Sequence, residues 1–567
     1  MIVTLVLLFS GLYWSLLGNH IVHEVKSNQK IHSAITFAED AYYSLSGMPA
    51  QREEDSAIVK MQNLYDVKSY TLRFSFDIPK KMIFGNTVIK AEVLSDTLSR
   101  IMVNFTNELK VKKVLLGGNP ARYEHVNDYI SIETGNAGPG STEIEIEYEG
   151  VPRNQGFDSF SFKEFDDEPA IYTLSEPTYA PTWWPCKDLV TDKAEADIFI
   201  TVPKPLTAVS NGLLQDVKDE AKGERTFYWK VTYPITTYLV SLAIGKYDKW
   251  SETYTALDGS TKMPVDYYTY PSYTANAKYD WKNTVDMIGY LSATFGEYPF
   301  INEKYGMAMF GWISGAMEHQ TISSMGYRLI TGDGRYESIV MHELAHQWFG
   351  DAVSPATWRD IWLNEGFSTY CESLWIEHTK GREAYLESIA KEGRGTFPTT
   401  VYNPEGFIFG RTVYNKGAFV LHMLRGEVGD ETFFRIIRTY YERFKYGAAT
   451  TEEFVDVCEE VSGKDLGTFF DQWVYSGKGK PSFEYEWNTT QEGSSYKTTL
   501  LLKQIQQDRQ VYAVPLTITL SSGSDSGDFR IEMNSREGSY EFETAYLPAE
   551  LAIDREGWVM KDLRKKN

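Results

Sequence analysis

His342-Glu343-Leu344-Ala345-His346, with Glu365 nineteen residues beyond the second histidine, decides how the rest of the chain is read. Residues four apart on a helix share one face, so the two imidazoles project together. Two imidazole nitrogens and one carboxylate oxygen make three ligands for zinc and leave the fourth tetrahedral position for water. Glu343, between the histidines, stands where a general base for that water is needed. The chain has 9 histidines among 567 residues. At that frequency the pattern arises by chance about 0.01 times per chain, so two unrelated surface histidines are a poor account of it.

Working outward, Tyr336 to Met341 leads into the motif with a helical pattern, and Leu344, Ala345, Trp348 and Phe349 continue its apolar side. Gly350-Asp351 ends the pattern, with Pro355 shortly beyond. A second helical pattern runs from about Ile361 to Glu377 and carries Glu365 near its start. Two antiparallel helices on a short connection bring Glu365 up to the histidines. Glu372 lies on the same helical face as Glu365. It is either an acceptor for a ligand imidazole N–H or a solvated helix carboxylate.

The run His342-Glu343-Leu344-Ala345-His346-Gln347-Trp348-Phe349-Gly350, with Trp362-Leu363-Asn364-Glu365-Gly366-Phe367, resembles the M1 family of zinc aminopeptidases. Gly315-Ala316-Met317-Glu318-His319 is similar to that family's exopeptidase motif, and Tyr414-Asn415-Lys416-Gly417-Ala418 to the segment carrying its catalytic tyrosine. Further likeness lies in Trp184-Pro185-Cys186-Lys187-Asp188, Ser210-Asn211-Gly212, Tyr238-Leu239-Val240 and Phe470-Asp471-Gln472-Trp473-Val474, so the resemblance runs from about residue 60 to 480.

The resemblance implies one zinc ion on His342, His346 and Glu365, with Glu343 as general base. It implies that Glu318 holds the protonated α-amine of a peptide, by a charge-assisted hydrogen bond. Gly315, Ala316 and Met317 would let the peptide lie alongside as an added strand. Tyr414 would donate its phenol O–H to the carbonyl oxygen as negative charge develops there; Tyr402 is the nearest rival phenol upstream. Two positions depart from the family pattern. His319 stands where the family has asparagine, which either replaces the asparagine's hydrogen bonds or adds pH dependence. Leu174 stands where the family supplies a glutamine to the amine site, and Glu176 is the nearest polar substitute. The expected substrates are peptides with a free N-terminal amine. Two rival classes share these motifs: a zinc epoxide hydrolase with peptidase activity, and a catalytically inactive peptide-binding homologue.

Composition fits a globular enzyme. At 42% hydrophobic residues the chain buries a core, and 567 residues exceed what one core usually holds. A net charge of −22 argues against nonspecific nucleic-acid binding. Three cysteines, Cys186, Cys371 and Cys458, are too few for a disulfide framework. Residues 1–19 are almost wholly apolar and lack a basic n-region. They read first as an export signal and second as a membrane anchor, and either expectation places the chain outside the cytoplasm. Asn104-Phe105-Thr106 and Asn488-Thr489-Thr490 are glycosylation triplets that matter only on a eukaryotic secretory route.

The expected fold class is multidomain α+β. Residues 20–57 read as a short helix and linker. From 58 to 248, alternating runs such as Tyr70 to Phe76 and Glu143 to Tyr148 predict an N-terminal antiparallel β domain. Residues 249–476 turn mostly helical and, by the resemblance, form a thermolysin-like zinc catalytic domain. Residues 477–567 read as strands again and fit a small C-terminal β-sandwich.

Overall fold

The computed structural model describes residues 56–313, 315–507 and 510–566. The expected apolar leader and nearly all of the expected linker lie outside the described residues. Among the described residues no helix is long and apolar enough to cross a membrane. The chain divides into two compact units: Pro49–Tyr385 with Glu427–Leu466, and Leu386–Gly426 with Gly467–Asn567.

In the first unit a short helix, Ala57–Gln62, is capped by Ser56, whose side chain accepts from the Val59 N–H. An eight-stranded sheet follows. Across it run Leu213–Asp219, Glu224–Ile235, Ala194–Pro203, Tyr65–Asp77, Met82–Val93, Gly140–Gly150, Lys110–Leu116 and Asn119–Pro120. The predicted alternation is met in Gly140–Gly150, where Ile144, Ile146 and Tyr148 are buried and the intervening glutamates face out. In Tyr65–Asp77 the buried set shifts phase, from Tyr65 and Val67 to Tyr70, Leu72 and Phe74. A register irregularity between Val67 and Ser69 accounts for the shift, because one extra residue reverses which side chains point inward. The sheet is not purely antiparallel. Tyr65–Asp77 pairs in parallel with Ala194–Pro203, Ser69 opposite Glu195, which the long excursion between them permits.

The Asn104 triplet is no glycosylation site in this fold. Asn104 is fully buried, and its carboxamide oxygen accepts from Gln62 at 2.6 Å and from the Asp188 N–H at 3.0 Å.

The site-bearing part of this unit is a five-stranded mixed sheet with helices. Its strand order is Asp248–Thr255, Lys262–Thr269, Tyr305–Phe310, Ser323–Gly326, Ala316–Met317. Tyr305–Phe310 is central and every residue in it is buried, so it reads as a continuous apolar run. Ala316–Met317 forms one edge, antiparallel to Ser323–Gly326. Gly326 must lack a side chain here, since a Cβ would lie 2.3 Å from the Gly315 carbonyl oxygen. The helices Glu337–Ala345 and Trp362–Lys380 pack together as expected. Behind them Phe349, Phe367, Tyr440 and Phe454 form an aromatic wall, with ring centroids 4.7 to 5.7 Å apart. The first of these helices is shorter than the sequence predicts. It ends at Ala345 with His346 as its C-cap, and the chain turns through Gly350 at φ +141°. A Cβ on Gly350 would stand 3.1 Å from His346 Nδ1, so the turn needs glycine for shape and for room.

The second unit contains helix Gly417–Val428, preceded by a π-helical turn at Thr412–Lys416, and a second π-helical turn at Asp471–Tyr475. Its strands make two sheets. One orders Glu537–Thr544, Ser495–Gln504, Ser482–Glu492, Asp562–Lys565; the other Asp525–Met533, Val514–Ser522, Glu550–Ile553. Leu500, Leu502, Leu516, Ile518 and Leu520 are buried along them. Cys186, Cys371 and Cys458 are all buried.

The start of helix Trp362–Lys380 is tied to helix Thr451–Ser462 through one carboxylate. Asp360 Oδ1 accepts from Thr451 N and Oγ1, each at 2.7 Å, and Trp362 Nε1 donates to Thr451 Oγ1 at 3.0 Å. Asp360→Ala strands the buried Thr451 N–H and is expected to cost about 2 kcal/mol of stability. Thermal unfolding of the variant beside the parent checks it; an unchanged midpoint would show that the tie contributes nothing.

Candidate active site

His342, His346 and Glu365 converge in a buried centre. Glu365 Oε2 lies 3.2 Å from His342 Nε2 and 3.4 Å from His346 Nε2. One candidate ligand atom from each residue falls within 4.8 Å of the others, the sole such group of three among the described residues. The opposite ring nitrogens show that the set suits a metal. His342 Nδ1–H donates to Glu372 Oε1 at 2.9 Å, and His346 Nδ1–H to the Phe349 carbonyl at 3.1 Å. Both partners only accept, so the protons sit on Nδ1 and the Nε2 lone pairs face inward, as in carboxylate–histidine–zinc arrangements. Two neutral imidazoles and one carboxylate are a zinc donor set. Glu372 is thus an acceptor for a ligand imidazole and not merely a solvated helix carboxylate.

Ionisation here is dominated by burial. Before a metal binds, the neighbouring carboxylates outweigh burial and favour protonated His342 and His346; burial then pushes Glu343 up to about 8, opposed by those imidazolium charges and aided by Glu318 and Glu365. Burial also opposes charge on Glu365, but His346 and His342 outweigh it and hold that carboxyl at about 2. Glu318 and Glu176 are both raised, first by burial. For Glu176 the next cause is Glu318 itself, which places the two carboxylates in one electrostatic neighbourhood.

Five carboxylate oxygens in this neighbourhood are buried without a hydrogen-bond partner: Glu176 Oε1, Glu318 Oε1, Glu343 Oε2 and both of Asp351. Buried acceptors are normally satisfied, so these oxygens are placed for something that arrives. Glu318 follows directly on the edge strand Ala316–Met317, with Gly315 just before it. Leu174, by contrast, is a buried apolar residue. Glu176 is the carboxylate that this stretch buries in the electrostatic neighbourhood of Glu318.

His319 is fully buried. Its Nδ1 is 2.9 Å from Ser324 Oγ, and burial lowers its pKa to about 3. It stays neutral throughout the neutral range, so of the two readings of this departure the structure favours hydrogen-bond replacement over pH dependence. Tyr414 lies in the second unit, half-buried within the π-helical turn Thr412–Lys416. Turns of that kind are enriched at functional sites. Tyr402, its rival, packs against Tyr475 with ring centroids 5.2 Å apart.

Sequence reading passed over several neighbours. Gln347 is fully buried and bonds to the Glu318 loop. Both carboxylate oxygens of Asp351 are buried without a partner, while Lys193 Nζ donates to its carbonyl at 2.7 Å. Tyr238 donates to the Gly350 carbonyl at 3.3 Å. Gln347 and Asp351 adjoin the quoted motif, but nothing in their residue type marks them; their partners are distant in sequence.

Glu372→Ala removes the acceptor that fixes the His342 ring and is expected to weaken zinc binding about 10- to 100-fold. Competition with a chromophoric chelator measures this. Affinity equal to the parent's would make Glu372 irrelevant to the centre.

Comparisons with known proteins agree with this geometry. Residues 279–473 match the model of the peptidase family M1 domain, and residues 66–239 that of the peptidase M1 N-terminal domain. A probable aminopeptidase 2 of Sulfurisphaera tokodaii is 27% identical over 440 residues, covering 72% of this chain and 54% of its own. The glutamyl aminopeptidase of Sus scrofa is 29% identical, covering 61% of this chain and 40% of its own. The chain thus spans about half the length, or less, of these curated relatives. Among solved structures, the M1 zinc metallopeptidase of Deinococcus radiodurans is 25% identical with a TM-score of 0.63, covering 73% of this chain and 94% of its own. Aminopeptidase A of Legionella pneumophila, solved with aspartic acid, shares the fold at 18% identity with a TM-score of 0.77, covering 89% of this chain and 60% of its own. With both family models matched in order, and the His-His-Glu centre within the second of them, the chain belongs to peptidase family M1.

Proposed function

We propose that the chain is a zinc-dependent aminopeptidase that removes the N-terminal residue from peptides. The observation that carries this is the pair of unpartnered buried oxygens, on Glu318 and Glu176, in the same neighbourhood as the His-His-Glu centre. A protonated α-amine supplies donors and charge to both. An endopeptidase has no use for such a pair, because an internal peptide nitrogen brings no charge.

His342, His346 and Glu365 are the residues that would hold zinc, which when bound supplies Lewis acidity toward water and the scissile carbonyl. Glu343 offers its unpartnered Oε2 to the attacking water, takes the proton there and returns it to the leaving amine. Glu318 and Glu176 hold the ammonium group so that the first peptide bond alone comes into register. Ala316–Met317, at the sheet edge, offers main-chain groups to an extended substrate. Tyr414 is assigned as phenol donor to the developing oxyanion; that assignment rests on the family motif. The apolar residues 1–19 support an exported location.

A panel of fluorogenic aminoacyl amides, each with a free and an N-acetylated amine, tests the reading. Cleavage confined to the free-amine series is expected; equal cleavage of both series would overturn it. Glu343→Gln is expected to keep zinc, measured by elemental analysis, and to lose about 10²- to 10⁴-fold in kcat. Glu176→Ala is expected to raise KM for free-amine substrates about tenfold, and an unchanged KM would remove Glu176 from the amine site.

A further inference from the structure

The loop that carries Glu318 is gripped at four of its main-chain groups by side chains from outside it. Gln347 Nε2 donates to the Glu318 carbonyl at 3.0 Å, and Gln347 Oε1 accepts from the Thr321 N–H at 2.8 Å. Asn211 Nδ2 donates to the Gln320 carbonyl at 2.8 Å. Lys304 Nζ donates to the Thr321 carbonyl at 3.1 Å, and the Gly212 N–H to Thr321 Oγ1 at 2.8 Å. Thr321 is held at φ +66°, a conformation a threonine adopts only when its surroundings dictate it. Glu318, Gln320, Thr321, Lys304, Asn211 and Gln347 are all buried, so the grip is dry.

One of these grips differs from the rest. Gln347 is the residue immediately after His346. Its main chain belongs to the turn that closes the histidine helix: its N–H donates to the Leu344 carbonyl at 3.1 Å, and its carbonyl accepts from Ala352 N at 3.1 Å. Its carboxamide is committed at both ends, and the Tyr298 hydroxyl lies 3.2 Å from the same oxygen. The side chain therefore spans from the metal-ligand turn to both sides of the loop bearing the amine anchor.

We infer that Gln347 is a positioning residue that fixes the distance between the metal centre and the Glu318 carboxylate, and so sets the one-residue register of cleavage. The inference rests on the aminopeptidase reading and deepens it. The anchor is useful only if its separation from the metal equals one residue of peptide. Glu318 stands on a loop, and a loop alone does not hold such a separation closely. A carboxamide bonded to both Glu318 and Thr321 converts the loop into an extension of the histidine turn. No group of Gln347 reaches the reacting atoms; it acts through Glu318.

Gln347→Met keeps the length and volume of the side chain and removes its hydrogen bonds to Glu318, Thr321 and Tyr298. Zinc content per chain is expected to match the parent. KM for a free-amine leucyl amide is expected to rise about tenfold with kcat changed less than about threefold, since loss of anchoring weakens binding of the amine more than the chemistry. The preference for free over N-acetylated leucyl amide is expected to fall by a similar factor. Gln347→Glu retains the acceptor for Thr321 and loses the donor to Glu318, and its KM is expected to fall between those of the parent and the methionine variant. A fall in kcat at constant KM, or loss of zinc, would overturn the inference and make Gln347 a support of the histidine helix alone. A parent enzyme that cleaves blocked and free substrates equally defeats the aminopeptidase reading instead; a strict parent whose Gln347→Met variant keeps KM and strictness defeats only the inference. If Gln347→Met does not fold, Asn211→Ser applies the same measurements to the grip on Gln320 from the bend before strand Leu213–Asp219. An unchanged KM there would overturn positioning by the loop.

Discussion

Glu176, Glu318, Glu343 and Asp351 are buried close enough that their charges oppose one another, and Glu365 adds to the burden on Glu176, Glu318 and Glu343. Negative charge held out of water is costly unless it is paired, by several kcal/mol per ion. The imidazoles of His342 and His346 and the ammonium of Lys193 offset part of it. What remains is relieved by the upward shift of these carboxyls, and arriving cations would draw them back to the charged form. In the proposed reading the two cations are the metal and the substrate's ammonium. The aromatic wall behind the two helices keeps the region dry, and dryness gives those charges their strength.

Much of this was legible from spacing. Histidines four apart on a helix, and a glutamate near the start of the next helix, led to the three-residue centre because helical geometry is local. Alternation in Glu143 to Tyr148 located a strand for the same reason. What escaped depended on partners far along the chain. The phase shift in Tyr65–Asp77 needs an irregularity that only the pairing with Met82–Val93 reveals. The parallel pairing of Tyr65–Asp77 with Ala194–Pro203 joins segments more than a hundred residues apart. The helix end at Ala345 was set late because the apolar residues Trp348 and Phe349 continue a helical pattern in sequence while packing from a turn in space. Asn104 matched a glycosylation triplet, and only its burial against Gln62 and Asp188 shows that its side chain is already committed.

The loop that bears Glu318 shows how a position can be held without regular secondary structure. Four of its main-chain groups are bonded by side chains from the bend before strand Leu213–Asp219, from the residue before the central strand and from the histidine turn. Each partner is a long polar side chain that is itself buried. Such networks specify one arrangement because any alternative leaves a desolvated donor or acceptor.

The edge position of Ala316–Met317 has a second side. An open sheet edge is a template for any extended chain, including another copy of the same protein. Here the strand is only two residues long. That length limits lateral pairing to very few hydrogen bonds, too few to hold two sheets edge to edge. The adjoining unpartnered carboxylates of Glu318 and Glu176 further disfavour a neutral mid-chain segment, because they leave desolvated negative charge uncompensated. The same short edge therefore offers little for sheet-to-sheet pairing.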